Sequence, residues 1–160
     1  MASEIERKFL VNRELWPAPD GGVLYRQGYL SVERERTVRV RIAGRHAFIT
    51  IKGETLGVER LEFEYEIPVA DATVLLDQLC LRPLIEKTRF RIDVAGHVWE
   101  VDEFHGENEG LLLAEIELAA TDEKFEMPLW AGAEVSDDPR YFNSNLILEP
   151  YTRWGNVGRS

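Results

Sequence analysis

Polar and apolar residues alternate with period two over most of the chain, the pattern of strands with two different faces. The cleanest stretch is Arg60–Ile67, where Leu61, Phe63, Tyr65 and Ile67 oppose Arg60, Glu62, Glu64 and Glu66. In the opening ten residues, Glu4, Glu6 and Lys8 share one face, and Ile5 and Phe9 share the other. Further strands are predicted over Leu24–Ser31, Arg36–Ile42, Ala47–Lys52, Glu86–Val94, His97–Glu103 and Leu111–Ala119. Short connections at Ala43–His46 and Ala95-Gly96 make hairpins of their neighbours. Two stretches break the pattern. Asp71 is placed to cap a helix running to about Leu81, with Leu75, Leu76 and Leu79 on its apolar side. Asp138-Pro139 reads as a second helix start, with Tyr141, Phe142 and Leu146 available to dock it.

The reading is therefore mainly β with flanking helices (α+β), about eight strands in hairpin order. An antiparallel sheet of eight strands that closes into a barrel has room inside for side chains or one small ligand. Residues 1–150 read as a single domain and 151–160 as a mobile tail.

Periodicity alone does not say which strand face is the inner one. An ordinary half-buried sheet turns its charges outward, and charges on a sheet edge also guard against aggregation. Two features favour the reverse. The helices at 71–81 and 139–146 need an apolar surface, which the strands could offer from outside. The charged faces also match one another: Glu4, Glu6, Glu62, Glu64, Glu100, Asp102, Glu115 and Glu117 stand against Lys8, Arg39, Arg41, Lys52, Arg60, Lys87 and Arg89. These are eight acids and seven bases, nearly balanced, in a chain whose net charge is −10. Lining a dry barrel with unpaired charges would be costly. Mutual pairing, water, and a bound polyanion with its metals all lower that cost, since bases grip phosphate oxygens and carboxylates hold hard divalent cations.

The acidic net charge argues against a general nucleic-acid binder. No apolar run approaches the 18 residues of a membrane span, and no leader is visible, so a cytoplasmic protein without membrane contact is expected. The single cysteine, Cys80, lies in an apolar helical stretch and reads as a buried thiol. His46 and His97 fall at turns and His105 near a Gly-rich loop, all suited to surface polar roles.

Taken in order, Glu4-Ile-Glu6-Arg-Lys8 resembles the ExExK signature of CYTH-domain proteins, the triphosphate tunnel metalloenzymes. The likeness continues through Gln27-Gly-Tyr29-Leu, Arg39-Val-Arg41-Ile, Thr50-Ile-Lys52-Gly, Glu62-Phe-Glu64-Tyr-Glu66, Lys87-Thr-Arg89-Phe, Trp99-Glu-Val-Asp102, Ala114-Glu115-Ile-Glu117 and Glu134-Val-Ser136. Ser136 stands where the family pattern leads one to expect threonine. The resemblance implies an eight-stranded antiparallel tunnel with a charged interior that binds a small-molecule triphosphate and Mg²⁺ or Mn²⁺; the sequence leaves monomer and homodimer both open. It implies metal ligation by Glu4, Glu6, Glu115 and Glu117, completed by Glu62, Glu64 and Asp102. It implies phosphate contacts from Lys8, Arg39, Arg41, Lys52, Arg60, Lys87 and Arg89, with Lys8 and Tyr29 as catalytic candidates.

The reaction so implied is hydrolysis of tripolyphosphate to pyrophosphate and phosphate by a metal-activated water. Glu4 and Glu117 are the candidate proton acceptors. Two rival activities share the tunnel. A class IV adenylate cyclase needs an adenine site, for which the 104–111 loop is the available place. A thiamine triphosphatase needs an aromatic platform, which Trp16, Trp130 or Trp154 could supply. A polyphosphate- or nucleotide-binding module without turnover is the non-enzymatic alternative.

Overall fold

In the computed structural model, which describes residues 3–155, the alternating segments form nine strands. They are β1 (Ser3–Val11), β2 (Val23–Glu33), β3 (Arg36–Ala43), β4 (His46–Gly53), β5 (Glu59–Ile67), β6 (Ile85–Val94), β7 (His97–Phe104), β8 (Leu112–Leu118) and β9 (Ala131–Glu134). All pairings are antiparallel, in the order β5-β4-β3-β2-β6-β7-β8-β1, and β1 pairs back onto β5. The ring of eight strands expected from the sequence is thus closed. The β6–β7 connection turns at Ala95 and Gly96, both at positive φ (51° and 87°), the backbone that a tight two-residue hairpin requires.

The charged faces point inward and the apolar faces outward, so the core is wrapped around the ring. Phe9, Trp99, Val101, Ala114, Ile116 and Leu118 line the outside of β1, β7 and β8 and are covered by Trp16, Phe125 and Trp130 from the two long connections. On the opposite wall, Val40 and Ala47 pack beneath Ala72, Leu76 and Cys80. That second cover is α1 (Val69–Val74) with the π-helical turn Leu75–Leu79 behind it. The helix begins one turn earlier than the sequence suggested: Pro68 occupies the N-cap and Asp71 sits inside the first turn. There its carboxylate still faces the positive end of the helix dipole. Gly28 allows the close approach of this layer, since a Cβ there would lie 2.7 Å from Leu84 Cδ2 and 2.9 Å from Cys80 Cβ.

The C-terminal segment departs from expectation. It does not lie on the outer wall. Tyr141, Leu146 and Ile147 instead pack on Tyr29, Ile85, Phe104 and Leu113, which continue the inward faces of β2, β6, β7 and β8 beyond the charged positions. Because these strand ends are apolar on their inner side, they need a plug. The 3₁₀ turn Pro139–Tyr141 and the four-residue α2 (Asn143–Leu146) provide it. Tyr151–Trp154, which the sequence assigned to a tail, dock onto the plug. Trp154 stacks edge-on to Tyr141 and Tyr151 at 5.1 and 5.0 Å, and Thr152 Oγ1 donates to the Glu107 carbonyl at 2.7 Å. Residues 156–160 lie outside the described residues.

One seam of the ring is split. On the edge not taken by β8, the first part of β1 pairs with β5 (Ser3 to Ile5) and the last part with the short β9 (Phe9 and Val11). Between the two, the Glu6 N–H donates to the Val58 carbonyl at 3.0 Å.

Candidate active site

The ring encloses a cavity of about 240 Å³. Its wall carries Glu4, Glu6 and Lys8 from β1, Arg39 and Arg41 from β3, Lys52 from β4, and Arg60, Glu62 and Glu64 from β5. It also carries Lys87, Arg89 and Arg91 from β6, Glu100 from β7, Glu115 and Glu117 from β8, and Tyr29. Every site residue read from the sequence lines this cavity except Asp102. Arg91 and Glu100, for which no role was assigned, join them; the strand alternation that placed Arg89 and Asp102 inward carries the same information for both.

Across the cavity the charges answer one another. Lys52 Nζ donates to Glu4 at 2.7 Å and approaches Glu62 at 3.4 Å. Lys8 lies 3.5 Å from Glu115, and Arg39 and Arg41 lie 3.6 and 3.7 Å from Glu64. Arg91 meets Glu100 at 3.1 Å. Burial lowers Arg41 to about 10, aided by the neighbouring Arg39 and Arg89 guanidiniums. A concentration of cations that depresses its own members is prepared for an anion.

Asp102 has a different place. It is 1% exposed and accepts both prongs of the Arg89 fork, at 2.7 and 2.9 Å, together with Lys87 Nζ at 2.8 Å. Burial opposes its ionisation, but Arg89 and Lys87 overcome this and hold the carboxyl at about 2. Its oxygens face two bases behind the cavity wall, where it sets their positions. Lys87 is itself lowered to about 8 by burial, against the pull of Asp102. Its ammonium also donates to Asn143 Oδ1 at 3.1 Å, which is shared with Gln27 Nε2 at 3.1 Å.

The acidic wall is suited to a hard divalent cation. Glu6 is raised well above the ordinary range by burial, then by Glu115 and Glu4, and it hydrogen-bonds Glu115. Burial also raises Glu62 and Glu117; the neighbouring carboxylates reinforce both, against the opposing charge of Lys52. Carboxylates that raise one another form an oxygen-rich, negatively charged set, which a divalent ion would relieve. Among the described residues no three of them already converge as a formed metal site. The chemistry of the donor set fits the ion, while its ligand geometry is taken up by ion pairs to lysine and arginine.

The plug contributes lining that no periodicity announced: Phe142, Asn143 and Ser144. Phe142 lies under the Lys8 ammonium, 5.6 Å from ring centre to Nζ, and Lys8 Nζ donates to the Tyr141 carbonyl at 3.2 Å. Ser136 accepts the Lys8 backbone N–H at 2.9 Å and donates to Glu134 at 2.6 Å. Glu134 is in turn held by the Arg7 fork at 2.9 and 2.6 Å. A hydroxyl is what this position needs, so serine serves where threonine was expected.

The three histidines have polar partners outside the cavity: His46 with Glu66, His97 with Glu123, and His105 with Thr88. Trp16 and Trp130 are buried in the outer core, Trp154 packs on the plug, and the 104–111 loop lies away from the cavity lining.

Fold and site together define a charged antiparallel tunnel, closed at one end, whose bases converge on a space sized for a small polyanion. The chain belongs to the CYTH domain family, whose sequence profile matches residues 2–145. It is 50% identical over 151 residues to an inorganic triphosphatase of Acetivibrio thermocellus, covering 94% of this chain and 97% of that protein. It is 38% identical over 153 residues to an inorganic triphosphatase of Nitrosomonas europaea, covering 91% and 97%. A solved structure of an inorganic triphosphatase superposes with a TM-score of 0.66 at 35% identity, covering 92% of this chain and 96% of that one. Among the described residues no helix is long and apolar enough to cross a membrane.

Proposed function

We propose that this chain is a metal-dependent triphosphatase that hydrolyses inorganic tripolyphosphate to pyrophosphate and phosphate. The observation that carries the reading is the convergence of Lys8, Arg39, Arg41, Lys52, Arg60, Lys87, Arg89 and Arg91 on one cavity of about 240 Å³. So many bases in so small a space match a compact polyanion and leave little room for an organic group. The two triphosphatase relatives support the same substrate.

In this reading the arginine forks and lysine ammoniums hold the phosphate oxygens and neutralise charge developing on the transferring phosphoryl group. Asp102 keeps Lys87 and Arg89 aimed at the substrate. Glu4, Glu6, Glu62, Glu64, Glu115 and Glu117 are the residues that would hold a divalent cation, in keeping with the family's dependence on metal; Mg²⁺ and Mn²⁺ both suit an all-oxygen set. Such a cation, when bound, supplies charge neutralisation and a water of lowered pKa. Of the two candidate proton acceptors, Glu4 is clamped by Lys52 at 2.7 Å. Glu117 lines the cavity and has no cation within ion-pair distance among the described residues, so its oxygens are not taken up by a base. Glu117 is therefore the better acceptor. Tyr29, buried between plug and cavity, and Lys8 position the end of the chain nearest the plug.

The test is phosphate release from tripolyphosphate with Mg²⁺, with Mn²⁺ and with chelator, run beside ATP and thiamine triphosphate. Metal-dependent release led by tripolyphosphate is expected. Faster turnover of ATP or thiamine triphosphate would overturn the substrate, and tripolyphosphate binding without turnover in any metal would overturn the enzyme.

A further inference from the structure

One side chain of the plug brings a neutral group to a tunnel otherwise lined by ion pairs. Asn143, from α2, borders the same cavity as Lys8 and Lys87. Its side-chain oxygen is doubly held: Lys87 Nζ and Gln27 Nε2 both donate to Oδ1, each at 3.1 Å. An ammonium has donors only, so a flipped amide would set Nδ2 against Lys87, donor against donor. The planar amide is thereby fixed with its NH₂ turned away from both residues. Among the described residues that Nδ2 makes no hydrogen bond, and it is open to the cavity instead of sealed in the wall.

The residues that hold Asn143 are committed to this orientation. Gln27 is 0% exposed, and giving its Nε2 to Asn143 leaves its own Oε1 without a partner. A buried acceptor left unpaired is a standing cost. Turning the Gln27 amide round would only replace it with two carbonyl oxygens facing each other. Lys87 is pinned from both sides, by Asp102 at 2.8 Å behind the wall and by Asn143 in front. An amide NH₂ offers donors and no acceptor, so what it suits in the tunnel is the oxygen of an anion and not a metal ion.

We infer that Asn143 contacts the substrate: its NH₂, aimed by Lys87 and Gln27, donates to an oxygen of the phosphate nearest the plug. The inference rests on the triphosphatase reading and adds to it a neutral hydrogen bond, carried by the plug, beside contacts that are cationic. Lys87 and Asn143 then act on the same end of the substrate, the lysine supplying charge and the amide a directional donor.

The test is calorimetric binding of tripolyphosphate, in chelator, to the wild type, Asn143→Ala, Asn143→Asp, Lys87→Met and the double variant Asn143→Ala with Lys87→Met. Melting temperatures check that each is folded. Asn143→Ala is expected to weaken binding about ten- to a hundredfold, the scale of one hydrogen bond to a charged group. Because the amide touches the phosphate itself, a similar factor should separate Lys87→Met from the double variant. A residue that only positioned Lys87 would lose its effect once Lys87 is gone, so a factor below about twofold in that background would overturn the inference. Asn143→Asp keeps the oxygen that Lys87 and Gln27 hold and puts a second oxygen in place of the NH₂. It should bind at least about tenfold more weakly than the wild type. Binding within about twofold of the wild type would overturn the inference, whether or not the alanine variant folds. Either result leaves the triphosphatase reading intact, whereas a wild-type chain that fails to bind tripolyphosphate would overturn both.

Discussion

Replacing Asp102 by Asn removes one negative charge from the most deeply buried ion cluster of the tunnel and keeps the shape of the side chain. Three donated hydrogen bonds converge on Asp102, two from Arg89 and one from Lys87, and both Asp102 and Lys87 are 1% exposed. The variant leaves two buried cations facing a neutral amide, a change that typically costs about 3–5 kcal/mol. Proton linkage gives an independent figure. Holding the carboxyl at about 2 rather than its ordinary 3.8 corresponds to stability on the order of 2 kcal/mol at neutral pH. That contribution belongs to a depressed carboxyl, so it is fully present above pH 3.8 and is lost as the pH falls through about 2. Urea unfolding of both proteins at pH 7 should show Asp102→Asn less stable by roughly 2–5 kcal/mol. The gap should narrow when the measurement is repeated near pH 3. A second consequence follows for activity. Asp102 supports the charge on Lys87, whose value is about 8, so the alkaline limb of the activity profile should move to lower pH in the variant. A difference below about 1 kcal/mol at pH 7, with an unmoved alkaline limb, would refute the idea that Asp102 organises these bases.

Lys8→Ala should abolish most tripolyphosphate turnover while circular dichroism stays unchanged; retained turnover would take Lys8 out of the site. Glu4→Gln or Glu117→Gln should raise the metal concentration needed for half-maximal activity by at least about tenfold, the scale of losing one charged ligand contact. An unaltered metal titration would count against both as ligands. Gly28→Ala should lower stability by about 1–3 kcal/mol, because the new Cβ would press on Leu84 and Cys80 at 2.7 and 2.9 Å. Since Gly28 points to the outer layer, kcat at a temperature where the variant is folded should barely change, and a large kcat loss would contradict that separation of shell from tunnel.

What the sequence made legible follows period two. Eight strands, their hairpins and the inward set from Glu4 to Glu117 all repeat every second residue, and a closed ring turns that repeat directly into geometry. Arg91 and Glu100 were legible by the same rule. The plug was not. Leu113, Ile85 and Phe104 continue the inward faces of three strands but are apolar, and an apolar residue on a charged face reads as noise until the strand ends are seen to gather around Tyr141, Leu146 and Ile147. Asp102 was legible as an inward acid but not as a residue behind the wall, because depth within a barrel depends on the side chains of neighbouring strands. The split seam was equally hidden: β9 is four residues long, Ala131–Glu134, with too little alternation to mark it.

The ion pairs inside the tunnel bear directly on how metal and substrate bind. The Lys52–Glu4 contact at 2.7 Å and the Lys8–Glu115 contact at 3.5 Å each occupy one residue assigned to phosphate and one assigned to metal. When phosphate takes the bases, the acids lose their counter-charges and become stronger ligands for a divalent ion. When the ion takes the acids, the bases are released to phosphate. Each ligand thus removes the competitor of the other, and the coupling must be reciprocal. Exchange of even one such pair is worth about 1–3 kcal/mol, or roughly 5- to 150-fold in affinity. Calorimetric titration of Mn²⁺ into the Lys8→Ala variant, which binds and turns over poorly, should therefore show a smaller gain from added tripolyphosphate than titration into a slowly hydrolysing Glu117→Gln protein that keeps Lys8. Equal metal affinity with and without tripolyphosphate in the Glu117→Gln protein would mean that the internal ion pairs persist in the occupied tunnel, and the exchange would be wrong.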